Sequence, residues 1–151
     1  MLETDVAMQL KATHQKIAQI LQYKIDEYGL TFGQLFLVMK ICKNPEASQK
    51  ELAKQMRFTE GAMSSVVKRL INLGMLQQEP LESDMRYNRL VVTDLGKTVI
   101  KDYEGYVIKI YKDIFEGLHE DEIEKLHKLL IKINNNLDKI NDKVCLMNKS
   151  E

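Results

Sequence analysis

Apolar residues recur at helical spacing through most of this chain. From Leu2 to Tyr28, the positions Val6, Leu10, Ile17, Leu21, Ile25 and Tyr28 follow the helical repeat and predict a first helix closed by Gly29. The segment LTFGQLFLVMKI begins with Thr31 and Gln34 at capping-box spacing, which predicts a second helix ended by Asn44-Pro45. A second capping box, Ser48 with Glu51, opens a short third helix in SQKELAKQM. After Arg57-Phe58, Thr59 caps a fourth helix to about Leu73, with Gly74 as its stop. Two extended pieces follow, Met75–Glu79 and Arg89–Thr93, and predict a β-hairpin joined by a long charged loop within LESDMRYNR. Thr93 caps a fifth helix with core positions Ile100, Tyr103, Val107, Ile110 and Ile114. A break at Gly117-Leu118-His119 precedes a sixth helix. There Ile123, Leu126, Leu130, Ile133, Leu137, Ile140, Val144 and Met147 alternate spacings of three and four, the seam of a helix packed along another helix.

The element order gives a mainly α (α+β) fold. Residues 30–93 form a winged helix-turn-helix lobe, and residues 1–29 with 94–151 form a helical region whose seam reads as a subunit interface. Within SQKELAKQMRFTEGAMSSVVKRLINLGML, two helices are joined by a short turn. In the second of them, Met63, Val66, Val67 and Leu70 share one side, while Gly61, Ser64, Ser65, Lys68 and Asn72 share the opposite side. That outer face is small, polar and nearly free of acid, unlike an ordinary solvated face laced with Glu–Lys pairs. Small side chains allow close approach to another surface, and Ser, Asn and Lys offer donors to phosphates and base edges. Such a helix suits a DNA major groove. The same geometry occurs in proteins that touch no nucleic acid, so a protein-interaction scaffold without specific DNA binding is the alternative.

The hairpin after this helix pair favours DNA. A wing places its tip on the neighbouring minor groove, where an arginine meets the enhanced negative potential of narrow A·T-rich DNA. Arg86 is the candidate finger, Asp84 the carboxylate that braces the wing, and Arg89 a contact to phosphate or a support for the strand. Thr59 and Gly61 let the helix start approach the DNA backbone, Ser64 and Ser65 face the groove, and Lys68 is a phosphate contact.

In these residues the chain resembles the MarR family of bacterial transcription regulators. The matching features are Leu30-Thr31 with Gln34, ELA at Glu51–Ala53, Ser64, Arg69-Leu70, LGML at Leu73–Leu76, the pair Asp84 and Arg86, and VVTDLG at Val91–Gly96. The resemblance implies a homodimer with helices one, five and six intertwined, presenting two winged lobes to a pseudo-palindromic operator on double-stranded DNA. It also implies repression relieved by a small-molecule effector or by oxidation. The family pattern commonly has an arginine where Gln78 stands, which leaves operator affinity and preference dependent on that residue. Redox-sensing members carry a reactive cysteine in the first helix, and this chain has none there.

Composition narrows the rest. An apolar share of 44% builds a core, and 22 basic against 22 acidic side chains give no global nucleic-acid signature. Residues 48–93 lean slightly basic and residues 94–151 slightly acidic. No apolar run approaches a membrane span, and the acidic, polar start MLETDVAMQLK is not that of a signal peptide, so a cytoplasmic protein without membrane contact is expected. Cys42, following Val38, Met39 and Ile41, reads as a buried packing residue, and Cys145 as incidental. His14, His119 and His127 are scattered, and neither a metal nor another cofactor is expected. No Walker loop, GxSxG or HExxH is present, so the chain does not read as an enzyme. With Tyr87 as the hairpin's lone aromatic, RNA stacking is disfavoured. Phe32, Phe36 and Met39 with Ile17, Leu21 and Tyr103 could border an effector pocket, but such stripes are more often core and no ligand residue is assigned.

Overall fold

The computed structural model describes residues 1–81 and 84–147, and of residues 81 and 84–88 it describes backbone alone. The described elements are α1 (Leu2–Glu27), α2 (Phe32–Lys43), α3 (Gln49–Met56), α4 (Glu60–Asn72), β1 (Leu76–Leu81), β2 (Asp84–Val92), α5 (Asp94–Ile114) and α6 (Glu120–Met147). They divide into two compact units, Met1–Ile108 and Lys109–Glu151.

The helix boundaries follow local chemistry. Thr31 and Gln34 exchange side-chain and backbone hydrogen bonds at 3.2 and 3.0 Å, and Ser48 with Glu51 repeats the arrangement at 3.2 and 2.9 Å. Each capping box satisfies two of the orphan donors that a helix start leaves open. Thr59 Oγ1 accepts from the Ala62 backbone N–H at 3.1 Å to start α4, and Thr93 Oγ1 accepts from Gly96 at 3.1 Å to start α5. Gly29 and Gly74, at φ 68° and 75°, lead the chain out of α1 and α4 through the left-handed region. The turn from α3 to α4 lacks a glycine. Arg57 takes the left-handed conformation there, at φ 55°, which costs a non-glycine residue about 1 kcal/mol.

The first unit closes around one core. Leu35, Leu37, Val38 and Ile41 of α2, Leu52 and Ala53 of α3, and Met63, Val67 and Leu70 of α4 are buried. So are Leu76 of β1, Leu90 and Val92 of β2, Ile25 of α1, and Ile100 and Tyr103 of α5. Each large aliphatic side chain taken fully from water contributes about 1.5–3 kcal/mol, so the two helices and the hairpin are fixed mainly by this shared interior. Gly96 brings α5 onto the root of the hairpin. A β-carbon there would stand 2.5 Å from the Met75 carbonyl oxygen and 2.7 Å from Val92 Cγ1.

Two expectations need correction. The strands run further than the pattern suggested. Pairing proceeds in antiparallel register from Leu76↔Val92 to Pro80↔Asn88, then shifts to Leu81↔Asp84, so most of the supposed loop belongs to β2. Pro80 is accommodated in β1 because, in a two-stranded ribbon, a missing N–H can face solvent at an edge. Cys42 is exposed, not buried. It lies one residue past Ile41 in the last turn of α2, where the helix overruns the core, and it borders a shallow depression with Pro45, Lys97 and β2. Packing around the thiol pushes its pKa up, against the pull of Lys97. A raised pKa is the opposite of a reactive thiolate.

In the second unit, α6 buries no residue within the isolated chain. Its seam includes Leu137 and Ile140, each 55% exposed, and Met147 at 72%.

Candidate nucleic-acid interface

Three elements build the candidate surface: α3, α4 and the hairpin. In α4 the side chains of Met63, Val67 and Leu70 anchor the helix, which leaves Gly61, Ser64, Ser65, Lys68 and Asn72 exposed along one outer face. The sequence pattern and the structure agree on this division residue by residue, with Val66 half-buried at the margin. A β-carbon at Gly61 would meet nothing within 4 Å, so the helix start is open to solvent there. The Thr59 hydroxyl is exposed and already accepts the cap hydrogen bond, leaving its O–H as a donor.

Beside that face runs a groove lined by Gln49, Ser64, Val67, Lys68, Ile71 and Gln78. Gln78 Nε2 donates to Gln49 Oε1 at 3.0 Å, joining β1 to the first residue of α3. The pairing Gln78↔Leu90 puts Gln78 on the hairpin face that also carries buried Leu76, Leu90 and Val92. Gln78 itself is exposed.

Arg89 is half-buried between two carboxylates, Glu46 and Glu79, each at 3.4 Å, and its backbone bridges to Ser48. These contacts tie β2 to the start of α3 and to its partner strand. The side chains of Asp84 and Arg86 lie outside the described residues; their backbone belongs to β2.

Sequence reasoning missed two further polar ties. Arg69 of α4 donates from its guanidinium to the Gly29 carbonyl at 2.8 Å. The end of α1 is held to α5 as well: Asp102 accepts from the Tyr28 hydroxyl and from Lys24, the latter at 3.2 Å. The Tyr28 hydrogen bond and the Lys24 ammonium hold the Asp102 carboxyl below its ordinary value. Partial burial, then the Asp102 partner, pushes the Tyr28 phenol up. Hydrogen bonds to Glu27 and Asp102 raise Lys24. Only pairings across many residues carry these ties, so no local motif announces them.

Of the residues suggested for an effector pocket, Tyr103 is buried, while Ile17, Leu21 and Met39 are half-buried. Phe32 and Phe36 are exposed and stack on each other with ring centroids 5.7 Å apart. Among the described residues, no three His, Cys, Asp or Glu side chains converge as a metal site, and no helix is long and apolar enough to cross a membrane.

A capped helix-turn-helix followed directly by a two-stranded wing defines a winged helix-turn-helix protein. Residues 28–86 match the MarR family, and over that segment the chain is similar to its members. It is 32% identical over 74 residues to the HTH-type transcriptional regulator BilQ of Clostridium symbiosum, a match covering 49% of this chain and 51% of BilQ. The chain thus spans about half the length of that relative. Among solved structures, the YusO protein of Bacillus subtilis superposes with a TM-score of 0.80 at 22% identity, over 89% of this chain and 95% of YusO. A MepR–DNA complex from S. aureus superposes with a TM-score of 0.76 at 16% identity, over 87% of this chain and 98% of MepR. The fold is therefore the MarR-like winged helix-turn-helix with N- and C-terminal helices.

Proposed function

We propose that the protein is a homodimeric, sequence-specific DNA-binding transcription regulator, a repressor whose grip on its operator is relieved by a small ligand. The observation that carries this reading is the outer face of α4. Gly61, Ser64, Ser65, Lys68 and Asn72 are all exposed, none is acidic, and the wing root stands beside them. A helix face of that chemistry suits the major groove, and the wing suits the adjoining minor groove. Two relatives support it: BilQ is an HTH-type transcriptional regulator, and MepR has been crystallised with DNA.

In this reading Ser64 and Ser65 face base edges and Lys68 a phosphate. Thr59 and Gly61 admit the DNA backbone to the helix start, Arg86 enters the minor groove and Asp84 braces it. Arg89, held by Glu46 and Glu79, supports the strand and leaves the wing's phosphate contacts to its neighbours. The exposed apolar seam of α6 suits a second copy of the chain, which sets two recognition helices against the half-sites of a pseudo-palindrome.

The test is fluorescence anisotropy with DNA from upstream of the protein's own gene, beside a scrambled duplex, across a salt series. Binding at least ~1000-fold tighter to the native duplex is the expected result. Equal, weak, steeply salt-dependent binding to both duplexes means a generic DNA binder. Failure to bind either at low salt would leave the winged fold as a protein-interaction scaffold.

A further inference from the structure

The groove between α4 and the wing root has a composition that the recognition face alone does not explain. Its floor is apolar, Val67 and Ile71, and its walls are Ser64, Lys68, Gln49 and Gln78. Lys68 is the only charged group among these lining residues, and every other polar wall is neutral. The space is about 210 Å³, far more than the ~30 Å³ share of one water molecule.

The bond from Gln78 Nε2 to Gln49 Oε1 uses one amide N–H of Gln78 and neither of those on Gln49. Two amides locked together in this way lose rotamer freedom before any ligand arrives, so less entropy is lost when their remaining donors engage one. One ammonium and several preset amide donors, with no carboxylate among the lining residues, match a singly charged tetrahedral anion. The Gln78 carbonyl oxygen could also accept from a base edge; what favours a phosphate is the lone Lys68 ammonium, which meets a full negative charge.

We propose that this groove seats one phosphodiester of the operator backbone in each half-site, with Lys68 supplying the charge and the Gln49–Gln78 pair the neutral donors. The inference rests on the DNA-binding reading above and adds a particular contact to it. Gln78 is then an affinity-determining residue of the wing root, and Gln49 is the positioning residue that holds it. Because the amides are neutral, they add affinity without releasing counterions, whereas Lys68 releases about one per protomer.

The experiment combines protein variants with operator duplexes that carry one uncharged methylphosphonate linkage at a time. Gln78→Leu is expected to weaken binding to the native operator about 3- to 10-fold with an unchanged salt slope. Lys68→Ala is expected to flatten that slope by about one per protomer. At a single phosphate position per half-site, the methylphosphonate should weaken wild type and erase the difference between wild type and both variants. Gln78→Arg, which adds a cation at the same place, should steepen the slope by about one per protomer and guards against misfolding of the leucine variant.

Wild-type binding to the operator together with full additivity at every phosphate would overturn the groove assignment while leaving the DNA-binding reading intact. So would equal affinity of Gln78→Leu and wild type on all duplexes. Wild-type protein that binds no duplex overturns both.

Discussion

The Arg69 guanidinium donates to the carbonyl oxygen of Gly29 at 2.8 Å, joining the last turn of α4 to the turn between α1 and α2. The acceptor belongs to a residue already fixed at φ 68°, so the contact ties α4 to a rigid point. Asp102 holds the neighbouring Tyr28 and Lys24 from α5. Together these contacts join three helices at one place within the first unit.

Arg69→Ala removes a charge-assisted hydrogen bond from an exposed site, so the stability loss is expected to be about 1 kcal/mol, a few degrees in Tm. Operator affinity should fall several-fold because α4 is aimed less firmly, and Arg69→Lys should recover part of it. Anisotropy and thermal melts on the three proteins check this. Unchanged affinity in a folded Arg69→Ala protein would show that α4 is positioned by its apolar face alone.

Gly96→Ala tests the packing of α5 on the wing root. The added methyl would press on the Met75 carbonyl at 2.5 Å and on Val92 Cγ1 at 2.7 Å. Backbone cannot step aside as a flexible side chain can, and overpacking of this kind costs about 1–3 kcal/mol. Urea unfolding should show a lower midpoint with an unchanged m-value. A midpoint equal to wild type would mean the hairpin shifts freely against α5.

The Tyr28–Asp102–Lys24 cluster gives stability a pH dependence of known sign. Asp102 has a depressed pKa in the folded state, below its ordinary 3.8. Its contribution is therefore present above that ordinary value and is lost as pH falls from it through the folded value. Asp102→Asn keeps an acceptor for Tyr28 but not the charge. The stability difference between wild type and variant should be constant near neutrality and should close in acid below about pH 4. Chemical denaturation at a series of pH values reads this directly, and a difference that persists unchanged in strong acid counts against the cluster.

Helix ends were legible because capping is local. Thr31 with Gln34 and Ser48 with Glu51 sit three residues apart, and the structure forms both boxes. The exposed face of α4 was legible for a similar reason, since Met63, Val67 and Leu70 recur at helical spacing and the remaining positions must face outward. Periodicity fixes the side of a helix but not where the core beneath it ends, which is why Cys42 was misplaced. Strand length was less legible, because the charged, mostly polar stretch from Pro80 to Asn88 carries no apolar alternation to mark it as paired. The ties from Arg69 to Gly29 and from Gln78 to Gln49 span 40 and 29 residues, and no pattern within a short window encodes them.

For the wing, the expected loss on Arg86→Ala is about 1–3 kcal/mol in operator binding, with a matching loss of preference at the A·T-rich flank. Binding to operators whose flanks are replaced by G·C pairs should be far less sensitive to the substitution. Equal losses on both duplexes would place Arg86 on phosphate instead of in the minor groove.

Gly61 separates fold from function most sharply. A β-carbon there would meet no atom within 4 Å, and the residue lies in the first turn of α4 on its exposed face. Gly61→Ala should therefore leave the fold intact and stabilise the helix by up to about 1 kcal/mol, since glycine is the poorer helix former. If the absent side chain serves close approach of DNA to the helix start, the same methyl lowers operator affinity while raising Tm. A stabilised protein with weakened binding is the expected pair of results. Stabilisation with full affinity would show that the DNA backbone stays clear of Gly61 and that the helix is read from Ser64 onward.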